Sequence, residues 1–259
     1  MTRIPKTVPP LPPEVSLDRH LSRMAAVGWL RAGWEDMMTN PLTSLAYGAA
    51  VFIASLLVVA SLYTLSLDYI LFPALAGFMV VGPALAIGLY EKSRRIAEGT
   101  NASLFSMILV RPKSGAQILF IGVMLCLLML LWMRAAVLLY ALFFGLLPFP
   151  GLDHILPILT TPEGILLLIV GSLVGGLFAS FSFAISVFAV PMLLNEAMDA
   201  LTAMGLSMAI VWNNLSVMLT WGVIVLASFV VCLLTGLLGL IVIFPVLGHA
   251  TWHAYKALR

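Results

Sequence analysis

The sequence predicts an all-α, polytopic membrane helical bundle: six transmembrane helices forming three repeated hairpins, each preceded by an amphipathic helix at the cytoplasmic interface. Three observations carry this expectation. Hydrophobic residues make up 62% of the 259 residues and charged residues only 9%, a composition outside the range of soluble domains. Past residue 40 the apolar stretches reach the roughly 20 residues that cross a bilayer core about 30 Å thick. Of the 13 Lys and Arg residues, only Arg134 lies outside the segments before span 1, between spans 2 and 3, and after span 6.

Taken in order, residues 1–20 are rich in proline and charge and read as a flexible cytoplasmic tail. They hold no compact apolar core with a cleavage site, so no signal peptide is expected and the first span serves as its own anchor. Residues 21–259 form a single transmembrane domain with repeat units at about 24–95, 98–195 and 196–259. Spans are expected at 45–65, 70–90, 116–147, 165–192, 215–235 and 237–255. The last two are read as separate helices, because one helix of about 40 residues would be about 60 Å long. The third exceeds one span, and its end at 145–150 is expected to lie along the outer interface. Apolar residues at helical spacing place surface helices at about 24–39, 102–110 and 196–212.

The repeat rests on matched registers. Asn40-Pro41-Leu42 through Tyr47-Gly48 corresponds to Asn214-Leu215 through Trp221-Gly222, and Gly82-Pro83 through Tyr90 corresponds to Phe244-Pro245 through Trp252. A third, weaker copy has Ser106-Met107 matching Ser207-Met208, with Pro191 ending span 4. Such repeats arise both in transporters, whose sites sit at repeat interfaces, and in duplicated scaffolds. The cation asymmetry puts both termini in the cytoplasm. The net charge of +2 is read as contact with anionic lipid headgroups, not with nucleic acid.

Few residues could carry chemistry. Arg134 is an intramembrane cation, either an interfacial anchor beside Trp132 and Tyr140 or a functional or partner contact. His249 and His253 share one helix face. They join Glu91, Asn195 and Asp199 in a candidate cytoplasmic-side polar cluster, or else belong with Trp252 and Tyr255 to an aromatic belt. Glu91 with Lys92, Arg94 and Arg95 reads as a solvated helix end. The Gly77–Gly82 and Gly171–Gly176 runs read as close helix packing. Pro83, Pro191 and Pro245 break or kink spans at matching places that could share a cavity. Cys126 and Cys232 sit in spans as packing residues. No cofactor and no metal site is expected, and no catalytic residue is assigned.

The segments Gly33-Trp34-Glu35-Asp36, Asn40-Pro41, Gly82-Pro83 with Gly88 through Arg95, and Gly248-His249-Ala250-Thr251-Trp252-His253-Ala254-Tyr255 resemble a family of proteobacterial integral membrane proteins known only as a domain of unknown function. The resemblance runs from about residue 20 onward and implies the bacterial inner membrane. Members are sometimes labelled as similar to cytochrome c oxidase subunit I, a protein with about twice as many spans and many more intramembrane histidines than His249 and His253. The expected function is that of a non-catalytic accessory, assembly or scaffold protein, with membrane-complex subunits or a homo-oligomer as partners. The alternative is a small-molecule or lipid transporter or channel.

Overall fold

The computed structural model describes residues 17–145, 157–158 and 160–259. The tail up to residue 16, the interfacial segment expected beyond Gly145, and the loop around Asp153 and His154 lie outside them. Among the described residues the regular elements are all helical. They are α1 (Ala25–Met38), α2 (Pro41–Thr64), α3 (Leu71–Leu85), α4 (Ile87–Ala97), α5 (Leu104–Ile108), α6 (Gly115–Phe144), α7 (Pro162–Ser186), α8 (Ala189–Asn195), α9 (Ala200–Asn213), α10 (Leu215–Leu234) and α11 (Leu240–Leu258).

Among the described residues five segments are long and apolar enough to cross a membrane: Pro41–Thr64, Leu71–Ala97, Gly115–Phe144, Pro162–Asn195 and Leu215–Leu234. The segment expected as span 6 is a helix, α11, but it does not join them. Its second half carries His249, Thr251, His253 and Lys256, and most of it is buried against other helices. A turn with Gly236 at φ 60° and Leu237 at φ 69° separates α10 from α11, so the two are not one broken helix. The surface helix expected from residue 196 starts later, at Ala200, because the Asp199 side chain caps the Thr202 amide at 2.9 Å.

Proline and small side chains decide where helices bend and touch. Asn40 adopts φ 77°, a left-handed conformation that asparagine tolerates, and Pro41 opens α2, so the chain turns sharply between α1 and α2. Pro83 bends the second span between α3 and α4. At that bend Leu89 N–H bonds Ala86 O at 2.9 Å, and the Leu85 carbonyl accepts from the Tyr47 phenolic hydroxyl at 2.7 Å. The break between α7 and α8 has a different cause. Ser207 of α9 accepts from Phe188 N–H at 3.2 Å and donates to Ala184 O at 2.8 Å, inserting its hydroxyl into one rung of the helical ladder.

α1 packs along α11 more extensively than any other pair of elements, with α2 and α4 against the same helix. A Cβ on Gly33 would stand 2.6 Å from both Ala250 N and Val246 O, and one on Gly48 would overlap the Ile241 carbonyl. Pro245 lacks the N–H that would bond this carbonyl, so the freed oxygen sits against the bare face of α2. On the other side of the bundle α6 fits between α3 and α7. Its Met129 fills the space above Gly77, its Trp132 covers Gly175, and Trp132 Nε1 donates to Pro73 O at 3.0 Å. The glycine runs therefore admit side chains of α6, not bare backbone. Trp132 is buried inside this contact, which corrects its expected place beside Arg134 at the interface.

Gly33→Ala is expected to lower stability by about 1–3 kcal/mol, because backbone atoms of α11 must move to accommodate the methyl group. Gly28→Ala, on the same helix with nothing within 4 Å, should leave the melting temperature of detergent-solubilised protein unchanged or raise it slightly. Equal losses in both variants would refute the close approach.

Candidate functional site: a buried polar chain across four helices

The inward face of α1 repeats every three or four residues as Ala26, Trp29, Gly33 and Asp36, so a carboxylate ends an otherwise uncharged stripe. α11 presents His249 and His253 to it, α4 presents Lys92 and Ser93, and α2 presents Ser44. Asp36 Oδ2 accepts from Ser93 Oγ at 2.6 Å and lies 2.9 Å from His253 Nε2. Ser93 Oγ is 2.8 Å from His249 Nδ1, and His249 Nε2 is 2.9 Å from Ser44 Oγ. Lys92 Nζ donates to Ser44 Oγ at 2.8 Å and to the Asn40 carbonyl at 2.9 Å. Ser44, Lys92 and His249 are 0% exposed and Ser93 1%.

The proton positions follow from the partners. Ser93 has one hydroxyl proton and gives it to the carboxylate, so His249 Nδ1 must be the donor to Ser93 Oγ. Ser44 receives from Lys92, so its own proton goes to His249 Nε2. The imidazole is thus neutral, and every bond points the same way, from Lys92 through Ser44, His249 and Ser93 to Asp36. A serine hydroxyl donating to a neutral imidazole whose other nitrogen is held in place is also the arrangement that activates a nucleophile. Here that hydroxyl is wholly enclosed by protein.

Burial alone would raise the Asp36 pKa, but the hydrogen bonds from His253 and Ser93 outweigh it and hold the carboxyl below its ordinary range. A second acid, Glu196, is also held low. Arg259 bonds both of its oxygens, at 3.2 and 3.0 Å, and Tyr255 adds a bond at 2.8 Å, against partial burial.

The cluster expected from the sequence therefore divides into three. His249 and His253 enter the chain just described, and His249, Trp252 and Tyr255 are buried, which overturns the aromatic-belt alternative. Glu91 is 0% exposed and pairs with Arg94 and Arg95 at 2.7 Å each. With Lys92 also enclosed, that helix end is not solvated. Arg94 also reaches the Leu194 carbonyl at 3.3 Å, tying α4 to α8. Asn195 donates to the Tyr255 hydroxyl at 3.1 Å and so belongs with Glu196 and Arg259. Asp199 is exposed and only caps α9. Arg134 is exposed on α6, with no ion pair among the described residues.

Asp36, Ser44, Lys92 and Ser93 were not singled out from the sequence as site residues. Asp36 left a signal, a charge in register with an apolar stripe. Ser44, a hydroxyl inside an apolar span, left none.

The class of protein is now defined: these apolar helices make the chain a multi-pass integral membrane protein. Residues 71–195 match the model of a family described as a predicted integral membrane protein, DUF2189. The matched part holds Glu91, Lys92, Ser93, Arg134 and Asn195, whereas Asp36, Ser44, His249 and His253 lie outside it. No curated protein and no solved structure matches the chain.

Ser93→Ala interrupts the chain at its middle and is expected to cost about 1–3 kcal/mol, since His249 Nδ1–H loses its acceptor. Combined with Asp36→Asn the cost should fall short of the sum of the single variants, read from melting curves as a coupling of about 0.5 kcal/mol or more. Acid has a defined effect as well. With folded-state pKa values below the unfolded ones, Asp36 and Glu196 stabilise the fold above about pH 4.5, and this is lost as the pH falls through their lowered values. Melting temperature should drop below about pH 4, and Asp36→Asn should shrink that drop.

Proposed function

We propose that this chain is a non-catalytic accessory, assembly or scaffold protein of a membrane complex. The observation that supports this most is the closed chain from Lys92 to Asp36. Ser44, His249 and Ser93, the groups best suited to chemistry, spend their donors and acceptors on one another and join α1, α2, α4 and α11. A device of this kind holds a surface in shape for something else to use. In this reading six helices cross the bacterial inner membrane as three hairpins with both termini cytoplasmic, α11 being the sixth. The succession of one short and two long helical segments, three times over, supports the repeat. Arg134, exposed on α6, then serves as an interfacial anchor or a contact for a partner subunit.

A second reading, a small-molecule or lipid transporter, is favoured by a cavity of about 110 Å³ beside Pro83, between α3, α7, α10 and α11. Native mass spectrometry of the protein gently extracted from its own membrane separates the two. Stoichiometric protein subunits are the expected result. A lone chain or homo-oligomer carrying a discrete small molecule or lipid would overturn the accessory reading in favour of transport.

A further inference from the structure

The cavity beside Pro83 is built from large apolar side chains. Phe78, Phe183, Phe229, Phe244, Tyr90 and Trp221 contribute six aromatic rings to its wall. Phe78 stacks on Phe229 with centroids 6.5 Å apart, which bridges α3 and α10 across it. The space exists because of identifiable residues. Gly82 has nothing within 4 Å of where its Cβ would stand, and Pro83 turns the chain away at the end of α3.

Its polar groups are out of balance. Trp221 is 0% exposed, and its Nε1–H has no hydrogen-bond partner. Tyr90, 2% exposed, also lines the space and carries a hydroxyl there. Met79 adds a carbonyl, which Pro83 deprives of its helical donor. Leaving a buried donor unmade costs about 1–3 kcal/mol, and buried Trp and Tyr ordinarily find an acceptor. An unmet Trp221 donor beside a tyrosine on the wall of one aromatic-lined space describes a ligand: an apolar body that presents an acceptor oxygen. At about 110 Å³ the space is smaller than the cavity of about 150 Å³ that takes benzene, so it holds the edge of a ring or a short run of methylenes. The cavity is also partly open, so a longer tail can extend out of it.

We propose that this cavity binds a bilayer-soluble molecule through a carbonyl oxygen, which accepts from Trp221 Nε1–H and from the Tyr90 hydroxyl. The carbonyl belongs either to a quinone head or to the acyl ester of a phospholipid. The site is separate from the Lys92 to Asp36 chain and goes beyond the accessory reading, because a protein partner and a cavity ligand can coexist.

The test uses the full chain in dodecyl maltoside, which has no carbonyl. Decylubiquinone and a short-chain phosphatidylcholine are titrated separately and in competition, and binding is read as the mass of the complex by native mass spectrometry. Trp221→Phe keeps the ring and removes the donor, and Gly82→Leu fills the space from an uncontacted position; melting curves establish that both fold. Saturable binding of one probe, weakened about tenfold by Trp221→Phe and abolished by Gly82→Leu, is the expected result. The probe that displaces the other identifies the source of the carbonyl. Binding of neither probe, or equal binding by the original chain and both variants, would overturn the proposal and leave a hydrated or empty space.

Discussion

Burying Lys92 and Asp36 among apolar helices constrains everything around them. A charge in such surroundings is tolerated only when its hydrogen-bonding capacity is met, and here it is met by groups from four helices far apart in sequence. Lys92 alone requires the Asn40 carbonyl and the Ser44 hydroxyl. That fixes the turn between α1 and α2 relative to the end of α4. Asp36 requires Ser93 and His253, which fixes α1 against α4 and α11. His249 completes the connection, because a neutral imidazole with one donor and one acceptor nitrogen can join two hydroxyls only in one sense.

Backbone contacts make this convergence reachable. Hydrogen bonds of 2.6 to 2.9 Å between side chains as short as Ser and Asp need helix axes close together. Gly33 and Gly48 let α1 and α2 approach the backbone of α11. Pro245 contributes a carbonyl freed of its helical donor at the same contact. The helix that carries the two histidines is thus gripped from two sides by glycine faces. Its polar half can exist in an apolar chain because those faces and the partner side chains replace water.

Beyond this locked region the packing changes character. α3, α6 and α7 meet through side chains set over glycines, Met129 over Gly77 and Trp132 over Gly175. α10 packs on α1, α9 and α11 and meets α3 through stacked rings. The proline bend after α3 and the bare Gly82 keep this part of the bundle from closing up, and the unmet Trp221 donor sits at the gap. One part of the molecule links its polar side chains from Lys92 to Asp36 into one chain, and the neighbouring part leaves the Trp221 donor unmet.

The sequence by itself determined the class of fold, because apolar runs of membrane-spanning length and confined cations are properties of linear order. It located the short helices α1 and α9, the separation of α10 from α11 at Gly236, and the shared face of His249 and His253, since helical periodicity and turn residues act locally. The partners of those histidines were decided by tertiary structure alone. Ser44 is 205 positions from His249 and Asp36 is 217 from His253, and no periodicity within one helix encodes which face of another will meet it. The same physics enclosed Glu91 and Lys92, which in linear order look like an exposed charged helix end. Whether a charge faces water or a partner depends on what packs against it, and only the assembled bundle supplies that neighbour.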